Sequence, residues 1–129
     1  MNDQLAFTLT SDKPFGEVVA NIEKHAPEHQ FRVLHVHDVQ ATLAEKGLTR
    51  DSLKIIEVCN SGFAHTALQK DIQVALFMPC KFTVYTSGRQ TIVSLGRPTM
   101  ISQMMPAAGL DELAAQVERT LIQVMEESV

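Results

Sequence analysis

The stretch KIIEVCNSGFAHTALQKDIQVALFMPCKFTVYTSG, Lys54 to Gly88, decides how the rest of the chain is read. It opens on an apolar, β-branched run that stops at Cys59 and closes on a second such run that starts at Cys80. Branched and aromatic side chains suit a pleated, half-buried surface, so both runs are expected to be strands. Between them, SGFAHTALQKD lacks strand alternation and reads as a short helix. VALFM, Val74 to Met78, is the longest apolar run and is core-sized, well short of the roughly 20 residues needed to span a bilayer.

Working outward, CKFTVYT and QTIVSLG are two strands joined at Ser87-Gly88, a hairpin signal. Upstream of SLKIIEVCN, the segment QATLAEKGLTR reads as a helical turn closed by Gly47. FRVLHVHDV, Phe31 to Val39, is another strand, with Leu34 and Val36 expected on one face and Val33, His35 and His37 on the other. QLAFTLT alternates Leu5, Phe7 and Leu9 with Ala6 and Thr8, the period of a strand buried on one side.

Helical periods take over near both ends. Phe15, Val18, Val19 and Ile22 fall at i, i+3, i+4 and i+7, with Pro14 in the first turn, Ser11 or Asp12 as a cap, and Pro27 marking the end. RPTMISQMMPAAG is irregular or partly helical. In the final segment Leu110, Leu113, Ala114, Val117, Leu121 and Val124 form one apolar stripe, opposed by Glu112, Glu118, Arg119 and Glu126. Strands in the middle and helices towards the ends predict an α+β fold in two layers, a mainly antiparallel sheet with helices on one face.

The 129 residues are expected to form a single domain, 1–129, with one core. Eleven Lys and Arg against fifteen Asp and Glu leave a formal charge of −4, which argues against a dedicated nucleic-acid partner. MNDQLAFTLTSDKPFG lacks a basic segment followed by a continuous apolar one, so neither a signal peptide nor a membrane partner is expected. Two cysteines without a secretion signal read as reduced thiols, which places the protein in the cytoplasm.

The blocks KIIEVCN, ALQKD, LFMPCKFTVY and DVQATLAEKGL together resemble the domain-of-unknown-function family numbered 302 over roughly residues 5 to 125. Members of that family carry a K-I-I-E-I-C-N-P strand end, a helix with A-L, then L-L-P-C leading into a strand. Lys54, Ile55, Ile56, Glu57, Cys59 and Asn60 match the first block, and Leu76, Pro79 and Cys80 the second. Asp38, Leu43, Lys46 and Gly47 match an I-D-V…L-K-x-K-G segment. The resemblance implies a β-α-β(4)-α domain, similar to the TATA-binding-protein-like fold, and a homodimer. It implies no established activity. Ser61 stands where the family usually has Pro, and LGRP, Leu95 to Pro98, replaces a more usual acidic residue before Pro.

Four residues are candidates for a ligand site: Cys59, Asn60, His65 and Cys80. A strand end followed by a short helix returns the chain to the sheet edge where the next strand starts, which would bring both thiols to one place. Cys59 lies just before a helix start, where the backbone stabilises a thiolate. His65, one turn into that helix, would form a Cys–His pair if it approached the thiol. Against this, Cys packs as a small apolar group, and Cys80 shares a face with Phe82 and Val84. Separation by 21 positions lacks the close pairing of a zinc site.

His35 and His37, at i and i+2 on one strand face, are candidate ligands for a divalent cation, though two ligands leave its coordination sphere incomplete. Met78, Met100, Met104 and Met105 suit a groove lining or an interface, or a soft metal such as copper(I). No nucleotide-cradling loop is present. These readings predict a small-ligand-binding or accessory module. The alternatives are a thiol redox or sulfur-transfer enzyme using Cys59 and Cys80, and a soft-metal binder. No cofactor and no catalytic residue is specified.

Overall fold

The computed structural model describes residues 3–129. Five strands form one antiparallel sheet: β1 (Ala6–Ser11), β2 (Arg32–Asp38), β3 (Leu53–Cys59), β4 (Cys80–Ser87) and β5 (Gln90–Gly96). Their spatial order is β1-β5-β4-β3-β2. Helices α1 (Phe15–Glu28) and α5 (Asp111–Ser128) pack on one face, as expected for an α+β, β-α-β(4)-α architecture. The strand-to-strand connections carry shorter helices: α2 (Val39–Ala44) before β3, and α3 (Ser61–Lys70) followed by a 3-10 helix (Ile72–Phe77) before β4. Helix α4 (Pro98–Met104) and a 3-10 turn (Pro106–Ala108) lead into α5.

Register fixes which residues meet the helices. Phe7 pairs with Leu95, Leu95 with Phe82, and Phe82 with Ile56, and directly opposed residues share a face. Leu9, Val93 and Val84 form the next row, which continues through Lys54 to Asp38 on the edge strand β2, with Lys54 Nζ 6.0 Å from the centre of the Phe15 ring. Val18, Val19, Ile22 and Ala26 of α1 and Val117, Leu121, Val124 and Met125 of α5 close over these rows. The opposite face, with Leu53, Tyr85 and Ile92 in one row and Ile55, Thr83, Ser94 and Thr8 in the next, contributes nothing to that core.

The β2 alternation differs from the sequence reading. A bulge between Val33 and His35 turns Leu34 outward as the extra residue, 48% exposed. Val33 then opposes Val58 and Val36 opposes Ile56, so Val33 and Val36 share the core face. One inserted residue reverses the phase of a period-2 pattern, so strict alternation misassigned Leu34 and Val33.

Two capping expectations also change. Neither Ser11 nor Asp12 caps α1: Pro14 is the N-cap, and the Ser11 hydroxyl instead accepts from the Lys13 amide at 3.1 Å. Pro27 lies inside α1, one residue before its end. The hairpin loop is Gly88-Arg89, with Ser87 opposite Gln90 and Gly88 at φ +60°, the conformation glycine supplies at the first central position of a II′ turn. Finally, the core-sized run VALFM is only partly in the core. It belongs to the 3-10 helix and its exit, where Val74 is buried and Leu76 is 80% exposed.

Candidate functional site

The ends of β3 and β4 meet α3, α4 and α5 around a cavity of about 90 Å³ that is open on one side. Cys59, the last residue of β3, and Cys80, the first of β4, both line it. Register explains the meeting. Val58 opposes Cys80, so antiparallel pairing brings the terminus of one strand beside the origin of the next. Both thiols are free and partly buried.

The wall is apolar. Phe63, Ala64 and Ala67 come from one stripe of α3, Val74 and Phe77 from the 3-10 helix, and Val58 from the sheet. Pro98 and Ile101 of α4 and Leu113 and Val117 of α5 complete the far side. Phe31 and Phe63 stack at a tilt, with ring centres 6.1 Å apart. Met78 also lines the cavity, and the Met78–Pro79 peptide is cis. Met100, Met104 and Met105 are not among the lining residues.

Burial pushes the Cys80 thiol up to about 11, and the neighbouring Cys59 adds to the shift because two thiolates would repel. Lys81 pulls weakly the other way. At neutral pH Cys80 is therefore a protonated thiol.

Asn60 lines the cavity, but its polar atoms are committed to the fold. Its Oδ1 accepts from the Phe63 amide at 3.0 Å, capping α3, and its Nδ2 donates to the Gln30 carbonyl at 3.0 Å. The Ser102 hydroxyl is likewise spent, donating to the Thr99 carbonyl at 2.8 Å. His65 lies on the exposed side of α3, outside the lining. Residues 63, 64 and 67 face inward, so position 65 sits about 100° or more around the helix from that stripe. The helix starts where the sequence suggested, and its rotation parts His65 from the thiols.

His35 and His37 are exposed neighbours on β2, rings in an edge contact at 4.3 Å between centres. His37 Nε2 lies 3.1 Å from Glu57 Oε1. Among the described residues His35, His37 and Glu57 do not bring three ligand atoms within 4.8 Å of one another, so the candidate cation site on this strand does not converge.

Glu118, expected opposite the apolar stripe of α5, is instead largely enclosed, its side chain 12% exposed. Its carboxylate accepts from Arg97 Nη1 at 3.0 Å, from the Thr99 amide at 3.2 Å and from the Thr99 hydroxyl at 2.7 Å. Arg97 also donates from Nε to the Asp3 carbonyl and lies over the Phe7 ring, 5.4 Å from its centre. The arginine that replaces the usual acidic residue before Pro98 thus holds the start of α4, a wall of the cavity, against α5. An Arg and a Glu 21 positions apart gave no local spacing signal.

A family profile described as "Domain of unknown function DUF302" matches residues 7–128. The chain belongs to the DUF302 family. The DUF302 chain is also similar to a solved structure, the crystal structure of an uncharacterized conserved protein DUF302 from Bacillus stearothermophilus. The two share 30% identity and a TM-score of 0.92, with 97% of this chain and 98% of the other covered. No functionally curated protein matches. Among the described residues, no helix of this DUF302 chain is long and apolar enough to cross a membrane.

Proposed function

We propose that this DUF302 chain is a cytoplasmic, homodimeric module that binds a small apolar or thiol-reactive ligand in the cavity beside Cys59 and Cys80. One observation carries the reading: two thiols line an otherwise apolar cavity whose other polar side chains, Asn60 and Ser102, are engaged by backbone. An apolar cavity of about 150 Å³ admits benzene. One of about 90 Å³ suits a shorter occupant, or the apolar end of a longer one projecting through the open side. A thiol-reactive group on that occupant would find Cys80 slow to react, because its thiol is protonated.

The uncovered sheet face supports the dimer. Leu53, Tyr85 and Ile92 form an apolar row bordered by Ile55, and a second copy of this face would cover it.

Methyl chemical shifts of Ala64, Ala67 and Val117, followed during titration with short-chain hydrocarbons and small thiol reagents, test the binding. Saturable shifts that vanish in Ala67→Leu are expected; a flat titration with the whole panel overturns it. Sedimentation equilibrium tests the dimer, with Tyr85→Lys expected to yield monomer.

The placement of both thiols on one cavity also supports a second reading, in which the Cys59 thiolate attacks the S–S bond of a disulfide or sulfane-sulfur donor and expels a thiolate, and Cys80 attacks the resulting mixed disulfide or persulfide, forming the Cys59–Cys80 disulfide and releasing the second thiol or sulfide. The raised Cys80 pKa weighs against it, since a resolving thiol attacks as the thiolate. Met78 beside the thiols keeps a soft-metal binder as the remaining alternative.

A further inference from the structure

The C-terminal turns of α1 and α5 meet on the surface away from the cavity, and they carry HAPEH (His25 to His29) and Glu127. His25 Nδ1 lies 2.6 Å from Glu28 Oε1 and 3.8 Å from Glu127 Oε1, and the three atoms are within 4.8 Å of one another. His29 Nε2 is 2.8 Å from the same Glu127 oxygen. Both imidazole side chains are only 21% exposed, which restricts their rotamers and holds the nitrogens in place.

The placement runs against the usual electrostatics of helices. Carboxylates are disfavoured in a last turn, where the helix dipole is negative, yet Glu28 ends α1 and Glu127 lies one residue before the end of α5. Two negative helix ends and two carboxylates thus converge. A divalent cation held between the imidazole and the two carboxylates would relieve this repulsion.

We propose that His25 Nδ1, Glu28 Oε1 and Glu127 Oε1 bind a divalent transition-metal ion of the zinc class, with His29 as a positioning residue for Glu127. Zinc bonds to His nitrogen and carboxylate oxygen at about 2.0–2.2 Å, which sets ligand atoms about 3.4 Å apart around a tetrahedron. The 2.6 and 3.8 Å separations bracket that value and the two carboxylate oxygens lie within 4.8 Å of each other, so side-chain shifts of about an ångström complete the set, and water fills the fourth position. His29 bonds the ligating carboxylate from outside, as second partners of metal ligands do.

The test is titration calorimetry of chelator-treated, tag-free protein with zinc chloride alone, repeated on a Cys59→Ala/Cys80→Ala double variant. One zinc per chain is expected in both proteins, with affinity reduced at least tenfold in the exposed-site variant Glu28→Gln and in His29→Ala, and no binding in His25→Ala/Glu127→Gln. No saturable binding to the wild type overturns the proposal. So does binding lost in the cysteine variant, or binding unchanged in Glu28→Gln. Circular dichroism melts of each variant without metal confirm that a lost site is not a lost fold.

Discussion

Replacing Glu118 with alanine removes a carboxylate that joins α4 to α5. Three contacts go: the Arg97 pair at 3.0 Å and the Thr99 amide and hydroxyl bonds at 3.2 and 2.7 Å. The Arg97 side chain is 24% exposed and that of Glu118 12%, so the ion pair is partly screened and contributes about 1 kcal/mol. The two Thr99 bonds add about 1 kcal/mol each, below the roughly 1.5–3 kcal/mol of well-buried charged acceptors because solvent reaches the site. The expected loss is about 3 kcal/mol for Glu118→Ala. Glu118→Gln keeps a carbonyl oxygen for Thr99 and gives up the charge, for a loss of about 1 kcal/mol. With about 2.1 cal/mol/K of unfolding entropy per residue, a 129-residue chain converts these to drops in Tm of about 11 and 4 °C. Urea unfolding and calorimetry measure both. Because Pro98 and Ile101 line the cavity, the alanine variant should also weaken ligand binding. Equal losses for alanine and glutamine, or a loss below 1 kcal/mol for alanine, would refute the carboxylate's role and leave only its methylenes.

The Cys80 thiol, raised from 9.0 to about 11, stabilises the fold below pH 9, and that contribution is lost as pH climbs from 9 to about 11 because the unfolded chain deprotonates first. Unfolding free energies from urea titration should fall through that window by an amount on the order of 3 kcal/mol, less in Cys80→Ala. Thiolate absorbance of Cys59→Ala should show Cys80 titrating somewhat lower than in the wild type yet still above 9, since burial outweighs the Cys59 charge. Asn60→Ala loses both the α3 cap and the tether to Gln30 and should cost about 2 kcal/mol in urea unfolding, against about 1 for Asn60→Asp, which keeps the cap. Gly88→Val forces a branched residue to φ +60° and should cost at least about 1 kcal/mol, checked by thermal melting.

Much of the architecture was legible because it follows from period and punctuation. The α5 stripe, the α1 stripe and the termini of β3 and β4 at the two cysteines all appear in the sequence as local patterns. What escaped depends on geometry across distance. The Leu34 bulge reverses a face without altering composition, and the rotation of α3 puts His65 outside while admitting Ala64 and Ala67. Glu118 looked like any charged residue on a polar face until α4 folded onto it. The i, i+4 spacing of His25 and His29 was available in HAPEH, but Glu127 joins them only through the crossing of two helices 98 positions apart in sequence. As for the thiols, sequence order suggested their meeting, while only the fold supplies the cavity around them.

The cavity's outer wall has a mechanical consequence. Helix α3 buries no residue completely, and in the 3-10 helix after it only Val74 is buried. Few apolar contacts must break for this wall to swing away, whereas β4 holds Phe82 and Val84 fully inside. Backbone amides of Ala64 to Lys70 should therefore trade hydrogen for deuterium well ahead of those in the central strands. Guests could enter and leave through such partial unfastening at a tempo set by one small segment, with the sheet intact throughout.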